Sequence, residues 1–158
     1  MMQNEPVTTH GFDRLETELK HLKTVERPAV IKALTEAREM GDISENAEYH
    51  AAKERQSFVE TRVAQLEGKI SRAKVIDVTK LSGKQVKFGA TVGLVDDDTD
   101  ESLRYQIVGV DEADIREGRL SVTSPLARAL IGKAKGDNVE VTTPGGSKSY
   151  EVVSVRFK

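Results

Sequence analysis

The chain has 158 residues, with 24 Lys plus Arg against 26 Asp plus Glu and a formal net charge of −2. That balance gives no global signature of nucleic-acid binding, so any such contact is local or mediated by a partner. With no Cys there are no disulfides or thiolate metal sites, no apolar run approaches the ~20 residues of a membrane span, and no basic-then-apolar leader opens the sequence. The expectation is a soluble, cytoplasmic protein with no membrane contact. Two periodicities divide the chain, which predicts two domains packed by different rules.

Residues 1 to 11 read as polar and irregular, with Thr8 or Thr9 available to cap a helix. From there Leu15, Leu19, Leu22, Glu26, Val30, Leu34, Ala37 and Gly41 recur every three or four residues and keep one side of a helix toward a partner. The steps from Leu22 to Leu34 run 4-4-4, a stutter in heptad phase, and Pro28 lies inside it. Because Pro lacks an amide donor and crowds the preceding turn, a kink or break is predicted near Arg27. Gly41 suits the left-handed position after the helix end. The return pattern, Tyr49, Ala52, Gln56, Val59, Val63, Leu66, Ile70 and Ala73, is a regular seam with one polar interruption. Two such helices joined by a few residues pack antiparallel, forming a rod of ~40–45 Å at 1.5 Å per residue.

Past a linker at about Thr79 to Lys84 the pattern changes to strands. Candidates are 85–95, 104–110, 120–122, 138–142 and 148–157. Asp96-Asp97-Asp98-Thr99-Asp100 and Thr143-Pro144-Gly145-Gly146 read as tight loops. Ser124, Pro125 and Gly132 bracket a short capped helix. The fold class is therefore α+β: an antiparallel coiled-coil hairpin over 1–80 and a small, mostly antiparallel β domain with one helix over 81–158.

Asp42 and Glu45 sit in the hairpin turn. One reading is purely structural: three apart, they have capping-box spacing, with Ser44 a rival cap. Glu48 and Tyr49 then complement the helix dipole and the seam. The other reading starts from exposure. Mg²⁺ takes one or two carboxylates plus waters and phosphates, so two acids at a tip make half a metal site, completed by another macromolecule and useful for phosphoryl chemistry. Arg38, Lys53 and Arg55 lie at comparable depth and suit salt-sensitive RNA phosphate contacts, or are ordinary solvated charges. His10, His21 and His50 form no metal spacing, and no GxSxG, HExxH or phosphate-cradling loop occurs. The chain is not expected to be an enzyme on its own.

The run from Glu36 to Ala52, Glu36-Ala37-Arg38-Glu39-Met40-Gly41-Asp42-Ile43-Ser44-Glu45-Asn46-Ala47-Glu48-Tyr49-His50-Ala51-Ala52, resembles the tip signature of the bacterial Gre transcript-cleavage factors of the GreA type. The likeness continues through Ala73-Lys74-Val75-Ile76-Asp77, Phe88-Gly89-Ala90-Thr91-Val92, Ile107-Val108-Gly109 with Asp111-Glu112-Ala113-Asp114, Ser124-Pro125 with Ile131-Gly132-Lys133, and Thr143-Pro144-Gly145-Gly146. The resemblance implies a C-terminal domain like FK506-binding proteins that binds bacterial RNA polymerase, in a protein that is a monomer when free. It implies a hairpin that enters the secondary channel and helps hold a Mg²⁺ shared with the polymerase, so that backtracked 3′ RNA is cleaved and arrested complexes resume. On this likeness Asp42 is a Mg²⁺ ligand, Glu45 holds the ion or orients the attacking water, and Arg38 and Lys53 meet the nascent RNA. Lys53 stands where the family often has Arg, and lacks its bidentate fork. Asp111, Glu112, Ser124 and Pro125 fall on the implied polymerase-binding surface. Too few aromatics, only Phe88, Tyr105, Tyr150 and Phe157, are present in this half for a prolyl-isomerase pocket.

Two other readings compete. A channel-plugging inhibitor would share the fold but has no use for the intact Asp42 and Glu45 pair. A coiled-coil adaptor or holdase would use those acids only as caps.

Overall fold

A computed structural model describes residues 4–42 and 46–158. The described chain divides into two compact units: one is Phe12–Ala73, and the other combines residues 4–11 with Lys74–Lys158. This differs from a boundary at residue 80. Residues 4–11 are not irregular, because strand β1 (Glu5–Thr8) pairs with β2 (Ala73–Ile76), which directly follows the return helix.

The first unit is the helical hairpin. Its outgoing leg runs through α1 (Thr9–His21), a π-helical turn (Leu22–Glu26) and α2 (Arg27–Glu39); its return leg is α3 (Ala47–Arg72). Leu22, Val30, Leu34 and Ala37 are buried against Tyr49, Ala52, Val59, Val63 and Leu66, with Leu15 and Leu19 packed alongside. These are the residues of the two sequence seams. Thr8 starts the outgoing leg by accepting the Gly11 amide on its hydroxyl at 3.1 Å.

The π turn explains how the stutter is tolerated. In an unbroken helix of 3.6 residues per turn, the stripe from Leu15 to Leu34 drifts by about 100°. A π turn closes i→i−5 bonds and takes up one extra residue, and here the Arg27 amide donates to the Leu22 carbonyl. Later seam residues thereby return to the partner face. Pro28 sits two residues past the end of this turn, where its missing N–H falls on a ladder already reset. The Thr24 hydroxyl donates to the Lys20 carbonyl at 2.7 Å. Of the expected kink or break near Arg27, the structure shows no interruption, since His21, Glu26 and Arg27 all keep right-handed helical angles; the irregularity there is the π turn that ends at Glu26.

Charge pairs stitch the two legs. Arg62 forks onto Glu18 at 2.6 and 2.8 Å, and Arg27 onto Glu60 at 2.8 and 2.7 Å. Lys23 meets Glu67 at 3.2 Å. Bidentate geometry of this kind selects register more than it adds stability.

The second unit holds a five-stranded sheet in the order β5-β4-β3-β7-β6. The strands are β3 (Thr91–Asp96), β4 (Ser102–Val108), β5 (Arg119–Ser121), β6 (Asn138–Thr143) and β7 (Gly146–Arg156). Only the β4–β5 pairing is parallel. Its core gathers Val92, Leu94, Ile107, Leu120, Val139, Tyr150 and Val152 with Ala127 and Leu130 of α4 (Pro125–Leu130). The mixed α+β class therefore holds. Residues 85–90 of the first predicted strand are not part of it, and Gln85 forms only an isolated bridge to Ala134. In the acidic loop, buried Asp96 accepts the Asp98 amide at 2.9 Å and the Thr99 amide at 3.3 Å. Among the described residues no helix is long and apolar enough to cross a membrane.

The hydrogen bond from Arg62 holds the Glu18 carboxyl below the usual range, and that from Arg27 does the same for Glu60. A depressed folded value means stability present above the unfolded glutamate value, about 4.3, and lost as pH falls through the folded one. Both side chains are more than a third exposed, so solvent screening keeps the effect small. In the double variant Arg27→Ala/Arg62→Ala, urea midpoints should depend less on pH between about 5 and 3 than in the parent. Equal slopes in the two proteins would show that the forks carry no proton linkage.

Candidate functional site at the hairpin turn

The outgoing helix ends at Met40, whose amide donates to the Ala37 carbonyl at 3.1 Å. Gly41 follows at φ +127°, a left-handed backbone that a side chain would strain. Asp42 comes next and is exposed. Ile43, Ser44 and Glu45 lie outside the described residues, so the expected places of Glu45 and of the rival cap Ser44 do too.

The return helix is capped by Asn46. Its side-chain oxygen accepts the Tyr49 amide at 3.0 Å, its backbone sits in an extended conformation, and its carbonyl accepts the first helical bond from His50 at 3.1 Å. The other end of the same side chain donates to the Ala37 carbonyl across the hairpin. A helix leaves unsatisfied amides at its start and carbonyls at its end. Here one carboxamide serves both helices, one at each end. Asn46, and not Asp42, is therefore the N-cap of α3. The sequence signal for Asn46 was present, since Asn ranks with Asp and Ser as an N-cap, but residues 42 and 44 offer the same signal within four positions.

Met40, Asp42, Asn46, Ala47 and Glu48 line an open concavity of about 420 Å³. Among the described residues no three His, Cys, Asp or Glu side chains converge as a metal-holding group. Asp42 is exposed and carries carboxylate oxygens, the hard donor type that Mg²⁺ takes together with waters and phosphates.

The basic residues separate. The Arg38 guanidinium lies 5.8 Å from the centre of the Tyr49 ring, beside the turn. Lys53 is exposed, about 10 Å along α3 from Asn46 at 1.5 Å per residue. Arg55 pairs with Glu26 at 3.1 Å, and Glu26 also meets His21 at 3.3 Å. Arg55 lies two residues beyond Lys53 on α3, about 3 Å further along the helix.

In the second unit, Ser124 caps α4 by accepting the Ala127 amide at 3.2 Å, Pro125 occupies the first turn and is exposed, and Asp111 is exposed. Glu112 does not belong with them. It is 8% exposed, and its carboxylate accepts the Thr8 amide at 2.8 Å, the Gly109 amide at 3.1 Å and the Thr8 hydroxyl. A Cβ at Gly11 would fall 2.2 Å from the Glu112 side chain, so only glycine fits there. Glu112 anchors strand β1 and is withdrawn from any docking surface.

Two family models together span most of the chain. The transcription elongation factor N-terminal domain matches residues 5–75, and the GreA/GreB C-terminal domain matches residues 81–157. The chain belongs to the GreA/GreB family of transcription elongation factors. It is similar to transcription elongation factor GreA of Caulobacter sp. strain K31 (64% identical) and of Methylobacterium nodulans (65%), each over 156 residues and 99% of both chains. A solved structure, GreA factor homolog 1 of Thermus thermophilus, is 29% identical, covers 98% of this chain and 99% of that one, and aligns with a TM-score of 0.45.

Thr8→Val removes the hydroxyl donor to Glu112 while keeping the shape of the side chain. An under-satisfied buried carboxylate of this sort costs roughly 1–3 kcal/mol. The variant should lower the denaturant midpoint accordingly, and exchange of the 5–8 amides should accelerate. Unchanged melting and exchange would show that Glu112 is not what holds β1.

Proposed function

We propose that this elongation factor binds bacterial RNA polymerase through its second unit, presents the hairpin turn through the secondary channel, and stimulates cleavage of backtracked 3′ RNA. The observation that carries the reading is the exposure of Asp42 at the turn, beside a return helix whose N-cap is Asn46 and not an acid. Family membership supplies the transcriptional setting.

Asp42 and Glu45 would hold a Mg²⁺ shared with the polymerase. When bound, that ion activates water and steadies charge developing on the phosphate. Asp42 contributes one anionic oxygen, carried on a turn whose ends are hydrogen-bonded. Glu45, three residues on, would hold or orient the attacking water. Arg38 and Lys53 meet RNA phosphates by charge alone, contacts that position a strand without reading its sequence. Arg55 is held by Glu26 in an exposed ion pair, which a phosphate would have to displace for Arg55 to join that contact. Asp111, Ser124 and Pro125 form the polymerase-facing side of the second unit, without Glu112. The factor acts as an accessory: the remaining ligands and the RNA come from its host.

The decisive assay incubates a backtracked polymerase complex with the factor and follows RNA length. Asp42→Asn and Glu45→Gln should each slow cleavage about a hundredfold or more, the scale of a lost proton-transfer or ligating group, while pull-down of polymerase stays at the parental level. Parental cleavage by the double variant would end this reading.

A further inference from the structure

Asn46 does something a helix cap alone does not require. Its amide nitrogen donates to the Ala37 carbonyl of α2, while its amide oxygen accepts the Tyr49 amide of α3. The same Ala37 carbonyl receives the Met40 amide at 3.1 Å, so the two ends of the turn meet at one backbone oxygen. Asp42 lies on the short segment between these fixed ends. Ala37 is 2% exposed and Tyr49 9%, so the oxygen and amide that Asn46 joins belong to residues packed in the hairpin core. Among common cap residues only asparagine carries both a donor and an acceptor on one planar group of this length. Aspartate would set a carboxylate against the Ala37 carbonyl, and serine is too short to cross.

We infer that Asn46 is a positioning residue for the proposed cleavage chemistry: by tying Ala37 to Tyr49 it fixes the two helix ends that flank Asp42, and so the place from which Asp42 shares the ion. The inference rests on the proposed function above. A group that completes a metal site must be placed before the ion arrives, and misplacement on the order of 1 Å costs up to about a hundredfold in rate. A linker free at either end has no such placement. Asn46 therefore acts on the rate with bound RNA and on the Mg²⁺ dependence, and not on how tightly the factor docks.

Asn46→Ser separates the two roles, because serine retains the capping oxygen and loses the crossing amide. In the backtracked-complex assay with the full-length factor, Asn46→Ser should cut the maximal cleavage rate about tenfold or more. It should move the Mg²⁺ dependence to higher concentration and leave the half-saturating factor concentration unchanged. Asn46→Asp, which keeps length and cap but has no donor, should lose rate likewise, and far-ultraviolet circular dichroism should show parental helix content for both. Parental rates for both variants at every Mg²⁺ concentration would overturn the assignment, as would loss in Asn46→Asp alone, which would trace to its added charge. Asp42→Asn, run alongside, distinguishes the two claims. If it is slow while Asn46→Ser is parental, only the positioning role fails; if it too is parental, the reading of the tip fails with it.

Discussion

A single apolar seam must stay in phase along two antiparallel legs, and the first unit depends on that constraint. A two-helix rod has one buried face and no second layer to correct a drift. The π turn at Leu22–Glu26 meets the constraint by absorbing one residue, which returns Val30, Leu34 and Ala37 to the side occupied by Tyr49, Ala52 and Val59. Without it, Ala37 would rotate off the partner, and with it the carbonyl that anchors the turn. The place of the Ala37 carbonyl, and so of the bond it receives from Asn46, is thus inherited from a backbone irregularity several helical turns away. Pro28 tolerates the arrangement because the ladder is already rearranged just before it.

Much of this was legible in the residue order, for identifiable physical reasons. A helical seam repeats, so each of Leu19, Leu22, Leu34, Val59, Val63 and Leu66 adds to the same inference, and the legs emerged almost residue for residue. The capped helix after Ser124 was equally readable, since Ser, Pro and Gly each favour one position. What escaped were contacts between residues far apart in sequence. Nothing local marks Glu112 as buried rather than displayed beside Asp111, because its partner Thr8 is 104 positions away. The strand at 5–8 is too short to announce a period, and it exists through β2 and Glu112. The pairing of Arg55 with Glu26 was likewise invisible without the register of the legs.

The turn also shows a separation of duties within one short motif. In the run from Gly41 to Tyr49, glycine supplies the backbone reversal, asparagine the link between helices, tyrosine the buried end of the seam, and aspartate an exposed charge. Each residue type suits one task and would serve the others poorly. A carboxylate in the capping position would spend its oxygens on backbone amides; an uncharged side chain in its place has nothing to offer a cation. The arrangement gives a physical meaning to residue order that capping-box spacing alone would have misassigned.

The second unit is assembled from two pieces of chain, residues 4–11 and 74–158, with the whole hairpin between them. A ribosome releases the first piece long before Glu112 is made, so strand 5–8 emerges with neither of its eventual neighbours. The hairpin seam, drawn entirely from Leu15 to Leu66, is synthesised in full before then, while the earlier segment waits. Maturation of the sheet-bearing half is therefore coupled to the full length of the polypeptide: amputating the first eleven residues would strip the Glu112 carboxylate of both its Thr8 donors, although every residue of the five-stranded sheet were still present.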